Sequence, residues 1–125
     1  MNIMRQQEVV EAFHYDINNQ SDTETDIQVE INPFDMSKEE EFPKENSLVG
    51  LRVIYQIVFE EFVLTGAIRQ LVTVVDKNIQ AAEDLNKEEI DELVRPLFAM
   101  IERLTYEVTE IALDQPGVQL NFNQE

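Results

Sequence analysis

SLVGLRVIYQIVFEEFVLTGAIRQLVTVVD, residues 47–76, decides the fold. Apolar side chains recur there at every second position. Val49, Leu51, Val53, Tyr55, Ile57 and Phe59 form one unbroken face, while Leu48, Gly50, Arg52, Ile54, Gln56, Val58 and Glu60 form a mixed one. Period two sets the two groups on opposite sides of a strand. The return limb carries Phe62, Leu64, Ile68, Val72 and Val74 on one side, and Val63, Thr65, Ala67, Arg69, Leu71, Thr73 and Val75 on the other. Glu60-Glu61 marks the reversal, although it lacks the Gly or Asn that a tight primed turn prefers. Gly66 in mid-strand signals a bulge or a close approach by another group. A helix can be drawn through part of 50–72, but the β-branched content favours a hairpin.

Upstream, EVVEAFHYDI (8–17) alternates through Val9, Phe13, Tyr15 and Ile17, with Glu11 the exception, and reads as a strand. DIQVEIN (26–32) alternates cleanly: Ile27, Val29 and Ile31 lie on one face, Asp26, Gln28, Glu30 and Asn32 on the other. Pro33 ends it, and a charged loop spanning about 35–46 follows, with Phe42-Pro43 able to pin it to the body.

Downstream, Asn86 and Glu89 have capping-box spacing and open a helix whose Ile90, Leu93 and Val94 share a face. Pro96 inside a continuous helix costs roughly 3 kcal/mol and at the first position of a new helix almost nothing, so a break is expected near Arg95. From Pro96 to about Leu113 a broad stripe holds Leu97, Phe98, Met100, Ile101, Leu104, Val108, Ile111 and Ala112. Burying these side chains gains about as much as ordering the helix costs, so it needs a complementary surface. The apolar face of the hairpin is that surface. The expectation is an α+β, two-layer single domain over residues 1–125, with a four-stranded antiparallel sheet and C-terminal helices packed on one face. Pro116-Gly117 then turns the chain into an extended tail, 115–125, in which Val118, Leu120 and Phe122 alternate with polar residues and dock on the body.

Two sets of apolar residues are left over. A thinner helix line, Ala99, Tyr106 and Leu113, runs opposite the main stripe, and the sheet's mixed face carries Ile54, Val58, Val63, Ala67 and Leu71. A two-layer fold has one interior, so these residues are candidates for contact with a second subunit or a client.

At 43% hydrophobic residues the chain can build a core, and the absence of cysteine suits a reducing compartment. No apolar run approaches a membrane span, and the first residues show no signal-peptide pattern, which points to the cytoplasm. The net charge is −17, with both halves acidic and no basic cluster, so nucleic-acid binding and membrane insertion are not expected. His14 is the only histidine, the acidic run KEEE (38–41) lacks the ligand ladder of a calcium loop, and three glycines are too few for a phosphate cradle. No carboxylate pair stands out for acid–base work, so no catalytic residue, metal or cofactor is expected.

The order of FHYDI, IQVEINPF, the hairpin LRVIYQIVF–EEFVLTGAIRQLVTV, the Pro-led RPLFAMIERLTYEVT and the tail PGVQLNF resembles the SecB-like superfamily. More closely, it is similar to a small family of uncharacterised Firmicute proteins placed with that superfamily. The likeness covers roughly residues 8–122 and is most specific in the C-terminal third, where a Pro-led helix is followed by a proline-containing segment that ends in Asn121-Phe122. It implies a four-stranded antiparallel sheet with helices on one face, and for SecB itself a dimer of dimers that holds unfolded preproteins in apolar grooves. The export motor docks on SecB's acidic sheet surface, and Asp26 and Glu30 occupy a comparable outward face here. The function expected is therefore a non-enzymatic, oligomeric, protein-binding one, either chaperone-like or dedicated to one partner. A small-molecule enzyme such as a thioesterase is a remote alternative.

Overall fold

The computed structural model describes residues 1–18 and 24–121. They form β1 (Asn2–Arg5), β2 (Val9–Ile17), β3 (Asp26–Pro33), β4 (Ser47–Val58) and β5 (Phe62–Val75), a 3-10 turn at Ala82–Asp84, and one helix, α1 (Lys87–Leu113). The hairpin of β4 and β5 is regular from Val58↔Val63 to Ser47↔Val74. Its turn needs no positive φ: the Phe59 amide donates to Phe62 O at 2.9 Å, and the two rings stack 4.5 Å apart. Along β4, buried and half-buried residues alternate at every position, as the two unequal faces require.

β3 pairs with β4, whereas β1 and β2 both pair with β5. β1 covers Val72–Val75 and β2 covers Phe62–Arg69, so the two lie end to end as halves of one outer strand. The sheet is therefore four strands wide but has five strands, one more than the alternation predicts. Only Ile3 of β1 packs against the core, which leaves no period-two signal in NIMR. The break falls at Gln6-Gln7-Glu8.

The expected break near Arg95 is not there. α1 runs through Pro96 for 27 residues from an Asn86 cap, with the Glu89 amide donating to Asn86 Oδ1 at 2.8 Å. Proline lacks the amide that residue 96 should give to the carbonyl four residues earlier. Arg5 takes its place: Nη2 donates to Glu92 O at 2.8 Å and Nη1 to Leu93 O at 2.9 Å. Nη1 also donates to Gln70 Oε1 at 3.0 Å, and Gln70 Nε2 donates to Gln6 O at 2.8 Å. One arginine and one buried glutamine thus join the gap in the outer strand to the proline in the helix. Burial pulls the Arg5 pKa down against the attraction of Glu8 and Glu92.

The core lies between α1 and the hairpin, where Leu51, Leu64, Ile68, Leu93, Leu97 and Ile101 are sealed from solvent. The helix stripe ends differently from its prediction. Ile111 is 80% exposed and Ala112 is also exposed, while Thr105 and Thr109 are buried. Thr109 holds the tail: its Oγ1 donates to Thr105 O at 2.6 Å and accepts from the Val118 amide at 2.8 Å. Asp114, in the left-handed region at φ 50°, ends α1. The chain then folds back, and Val118 and Leu120 lie half-buried against the core. Phe122 lies outside the described residues. No described helix is long and apolar enough to cross a membrane.

Candidate functional site

The face of the sheet turned away from α1 is built by the even-numbered residues of β4 and their neighbours in register. Ile54 faces Ala67, Val58 faces Val63 and Gly50 faces Leu71. Ile54, Val58, Val63 and Leu71 are half-buried and Ala67 is buried. Arg52 stands directly opposite Arg69, an arrangement that repels by itself. The compensation comes from β2. A bulge between Val10 and Ala12 frees Glu11 from the alternation, and its carboxylate accepts from Arg52 Nε at 3.1 Å and Nη2 at 3.2 Å. Arg69 Nε lies 3.9 Å from the same Glu11, and Arg52 Nη1 reaches Glu30 Oε1 at 3.4 Å. The Glu11 hydrogen bonds are the largest influence holding the Arg52 pKa up. The break in period two at Glu11 is thus the sequence signal of this ion cluster.

Beside the cluster, Phe34 lies half-exposed over Gly50, where an added Cβ would come within 3.1 Å of the ring. Phe34, Val9, Leu71 and the Gln6-Gln7 break enclose a groove of about 610 Å³ with Arg52 and Arg69 in its wall. Toward the β4–β5 turn the face becomes acidic. Asp26 lies opposite Gln56 and Asp16 opposite Val63, and exposed His14 faces Thr65.

β3 is the outer strand on one side, and its ladder direction follows from one bond. The Phe34 amide donates to Leu48 O at 2.9 Å, and the register is unbroken from Pro33↔Val49 to Asp26↔Gln56. In an antiparallel ladder alternate residues point their amide and carbonyl at the partner. The even-numbered residues of β3 therefore bond to β4, while the backbone groups of Ile27, Val29 and Ile31 point outward.

The helix line Ala99, Tyr106, Leu113 divides. Ala99 is exposed, but Leu113 packs against the core cluster and the chain's own tail lies on Tyr106. Gly117 sits so close that a Cβ there would lie 2.3 Å from Tyr106 O and 2.8 Å from its ring Cγ. Gln119 and Leu120 flank a shallow cleft shared with Ala99 and Arg103.

Beneath the sheet, Tyr15 stacks on Phe62 at 5.2 Å, and Tyr55 crosses over Gly66. The Tyr55 hydroxyl is buried and, among the described residues, has no hydrogen-bond partner; burial pushes its pKa up to about 12, so it stays a neutral phenol near pH 7. Among the described residues, no three His, Cys, Asp or Glu side chains gather into a metal-binding group.

An antiparallel sheet crossed by one long helix, with a returning tail, is the SecB-like α+β fold. The chain superposes on the Mycobacterium tuberculosis SecB-like chaperone Rv1957, solved in complex with a ChAD peptide from the HigA1 antitoxin, with a TM-score of 0.56 and 12% identity over 96% of this chain and 90% of that one. It belongs to the family DUF1149, proteins of unknown function, whose family model matches residues 1–122. A protein of unknown function from Streptococcus agalactiae is similar throughout: 32% identity, a TM-score of 0.87 and 98% of each chain covered. No curated protein matches the chain.

Proposed function

We propose that this chain is a non-enzymatic cytoplasmic protein that binds apolar segments of other polypeptides. The observation that carries this reading is the mismatch between helix and sheet. α1 packs on β4 and β5, the inner strands, while the sheet is four strands wide. Both outer strands therefore show apolar side chains: Val29 is 39% exposed, Val10 40% and Ile17 71%. Surfaces of this kind mark interaction sites when they are continuous. The likeness to a SecB-like chaperone bound to a peptide supports the same class of partner. Self-association as a dimer or dimer of dimers belongs to this reading, with Ile54, Val58, Val63, Ala67 and Leu71 as the contact face.

The test is aggregation of several unrelated unfolded proteins in the presence of substoichiometric to equimolar amounts of this chain. Slower aggregation of most of them is expected. No effect on any would remove the general chaperone reading. The fixed ion cluster of Arg52, Glu11, Glu30 and Arg69 favours a second reading, an adaptor for one partner, because a set pattern of charges selects rather than accommodates.

A further inference from the structure

We infer that the groove on the open face of the sheet, between the arginine pair and Phe34, binds a small molecule that joins a flat apolar ring to a carboxylate. The inference is separate from the polypeptide-binding reading: Leu71 alone belongs both to this groove and to the face assigned above to self-association. Three observations converge on it.

First, the hollow is made by two local breaks in the sheet. Gly50, opposite Leu71, gives β4 no side chain at that point of the face, and the outer strand is interrupted between Arg5 and Val9. The half-exposed Phe34 ring leans over the bare Gly50 backbone and closes one side. Arg52 and Arg69, the next pair on this face, close the other. The hollow of about 610 Å³ falls within the range of roughly 300–1,000 Å³ usual for small-molecule sites.

Second, its lining is divided. Leu71, Val9 and the Phe34 ring offer apolar area that a flat ring would cover, with an offset or edge-on contact to Phe34. The guanidinium groups stand along one wall only. A small inorganic anion would leave the apolar side bare, and a cation would meet the arginines.

Third, Arg69 has donors to spare. Glu11 accepts from Arg52 with both oxygens, at 3.1 Å from Nε and 3.2 Å from Nη2. Arg69 Nε only approaches Glu11 to 3.9 Å, beyond hydrogen-bond length, and among the described residues its guanidinium has no other ion pair. A carboxylate in the groove would accept two parallel N–H bonds from Arg69, the geometry a guanidinium fork is shaped for. It would also relieve the repulsion between the two facing arginines. The net charge of −17 repels anions from afar, but at ordinary salt that field is screened beyond roughly 8–10 Å. Inside the groove two arginines stand against one glutamate, and Glu30 reaches Arg52 from outside it.

The test titrates the full chain with indole-3-acetate, its neutral isostere indole-3-acetamide and acetate alone, followed by backbone amide NMR shifts. Indole-3-acetate should bind about tenfold more tightly than the acetamide, the difference that hydrogen bonding to a charged group makes, with shifts centred on Gly50, Arg69 and Leu71. Acetate should bind more weakly than indole-3-acetate. Arg69→Gln, at an exposed position, should keep the fold and bring the acid down to the level of the acetamide, whose own affinity stays unchanged. If that variant unfolds, Arg69→Lys, which keeps the charge without the planar fork, should narrow the preference for the acid. Phe34→Ala should weaken both indoles in equal proportion, and Arg103→Gln, exposed on α1, should change neither. Equal affinities of acid and acetamide, an acid affinity that the Arg69 variants leave intact, or shifts centred elsewhere overturn the inference. So do acetate binding as tightly as indole-3-acetate and the absence of saturation by about 10 mM acid. None of these outcomes bears on the aggregation assay, so the polypeptide-binding reading stands or falls by itself.

Discussion

Arg5→Ala should destabilise this protein far more than an ordinary surface substitution. The substitution removes the donors of three hydrogen bonds, to Gln70 Oε1, Leu93 O and Glu92 O. Gln70 is only 4% exposed, so its oxygen cannot recover a full complement of water. Leaving a buried acceptor unmet costs about 1–3 kcal/mol. The buried Leu93 carbonyl lies inside the helix, where the ladder still supplies a donor, and adds less, and the Glu92 carbonyl, at the surface, less again. A total of about 2–4 kcal/mol follows. For a chain of 125 residues each kcal/mol corresponds to about 4 °C, so Tm should fall by about 8–16 °C. Helical circular dichroism during urea and thermal unfolding measures both quantities. A double-mutant cycle isolates the cause. Pro96→Ala supplies the missing amide, so one partner of Arg5 no longer needs it, and Arg5→Ala should cost roughly 0.5–1 kcal/mol less in that background. A loss below about 1 kcal/mol, or an equal loss with and without the proline, would refute the role assigned to Arg5.

Tyr55→Phe removes a buried hydroxyl that has no partner among the described residues and should leave urea stability unchanged or raised by up to about 1 kcal/mol. It also has a pH signature. Between the ordinary 10.0 and the folded value of about 12, the unfolded chain releases the phenol proton first, so wild-type stability should decline as pH rises through that window and the variant should decline less. Gly117→Ala should lift the tail from Tyr106, read as faster limited proteolysis near residue 117 with helix content retained. Glu11→Gln should leave Arg52 and Arg69 facing each other with one compensating charge fewer, a small loss of stability in urea unfolding that added salt reduces.

The hairpin, β3 and the Asn86 cap were legible because each depends on local pattern: two unequal faces, clean alternation, and a side chain placed three residues from its target. Pro96 was not legible as an interior residue, because the group that fills its gap, Arg5, lies on the other side of the sequence and carries no local mark. β1 was hidden for a related reason, since one half-buried side chain in four gives no periodicity. The open face of Ile54, Val58, Val63, Ala67 and Leu71 could be listed from alternation alone, but the bulge that places Glu11 between two arginines needed the register. The line through Ala99, Tyr106 and Leu113 looked unaccompanied because helical spacing says nothing of a tail that doubles back.

The bond from Arg5 to Leu93 spans 88 positions of the chain. During translation the first strand emerges long before the helix that it completes, and it must wait, unpaired, until β5 and then α1 have left the ribosome. Final closure is therefore a late, long-range event, slowed by the entropy of bringing distant segments together. Until it happens, the nascent chain exposes its β-forming segments together with a helix weakened at the proline, and that interval is when the protein itself most needs protection from aggregation.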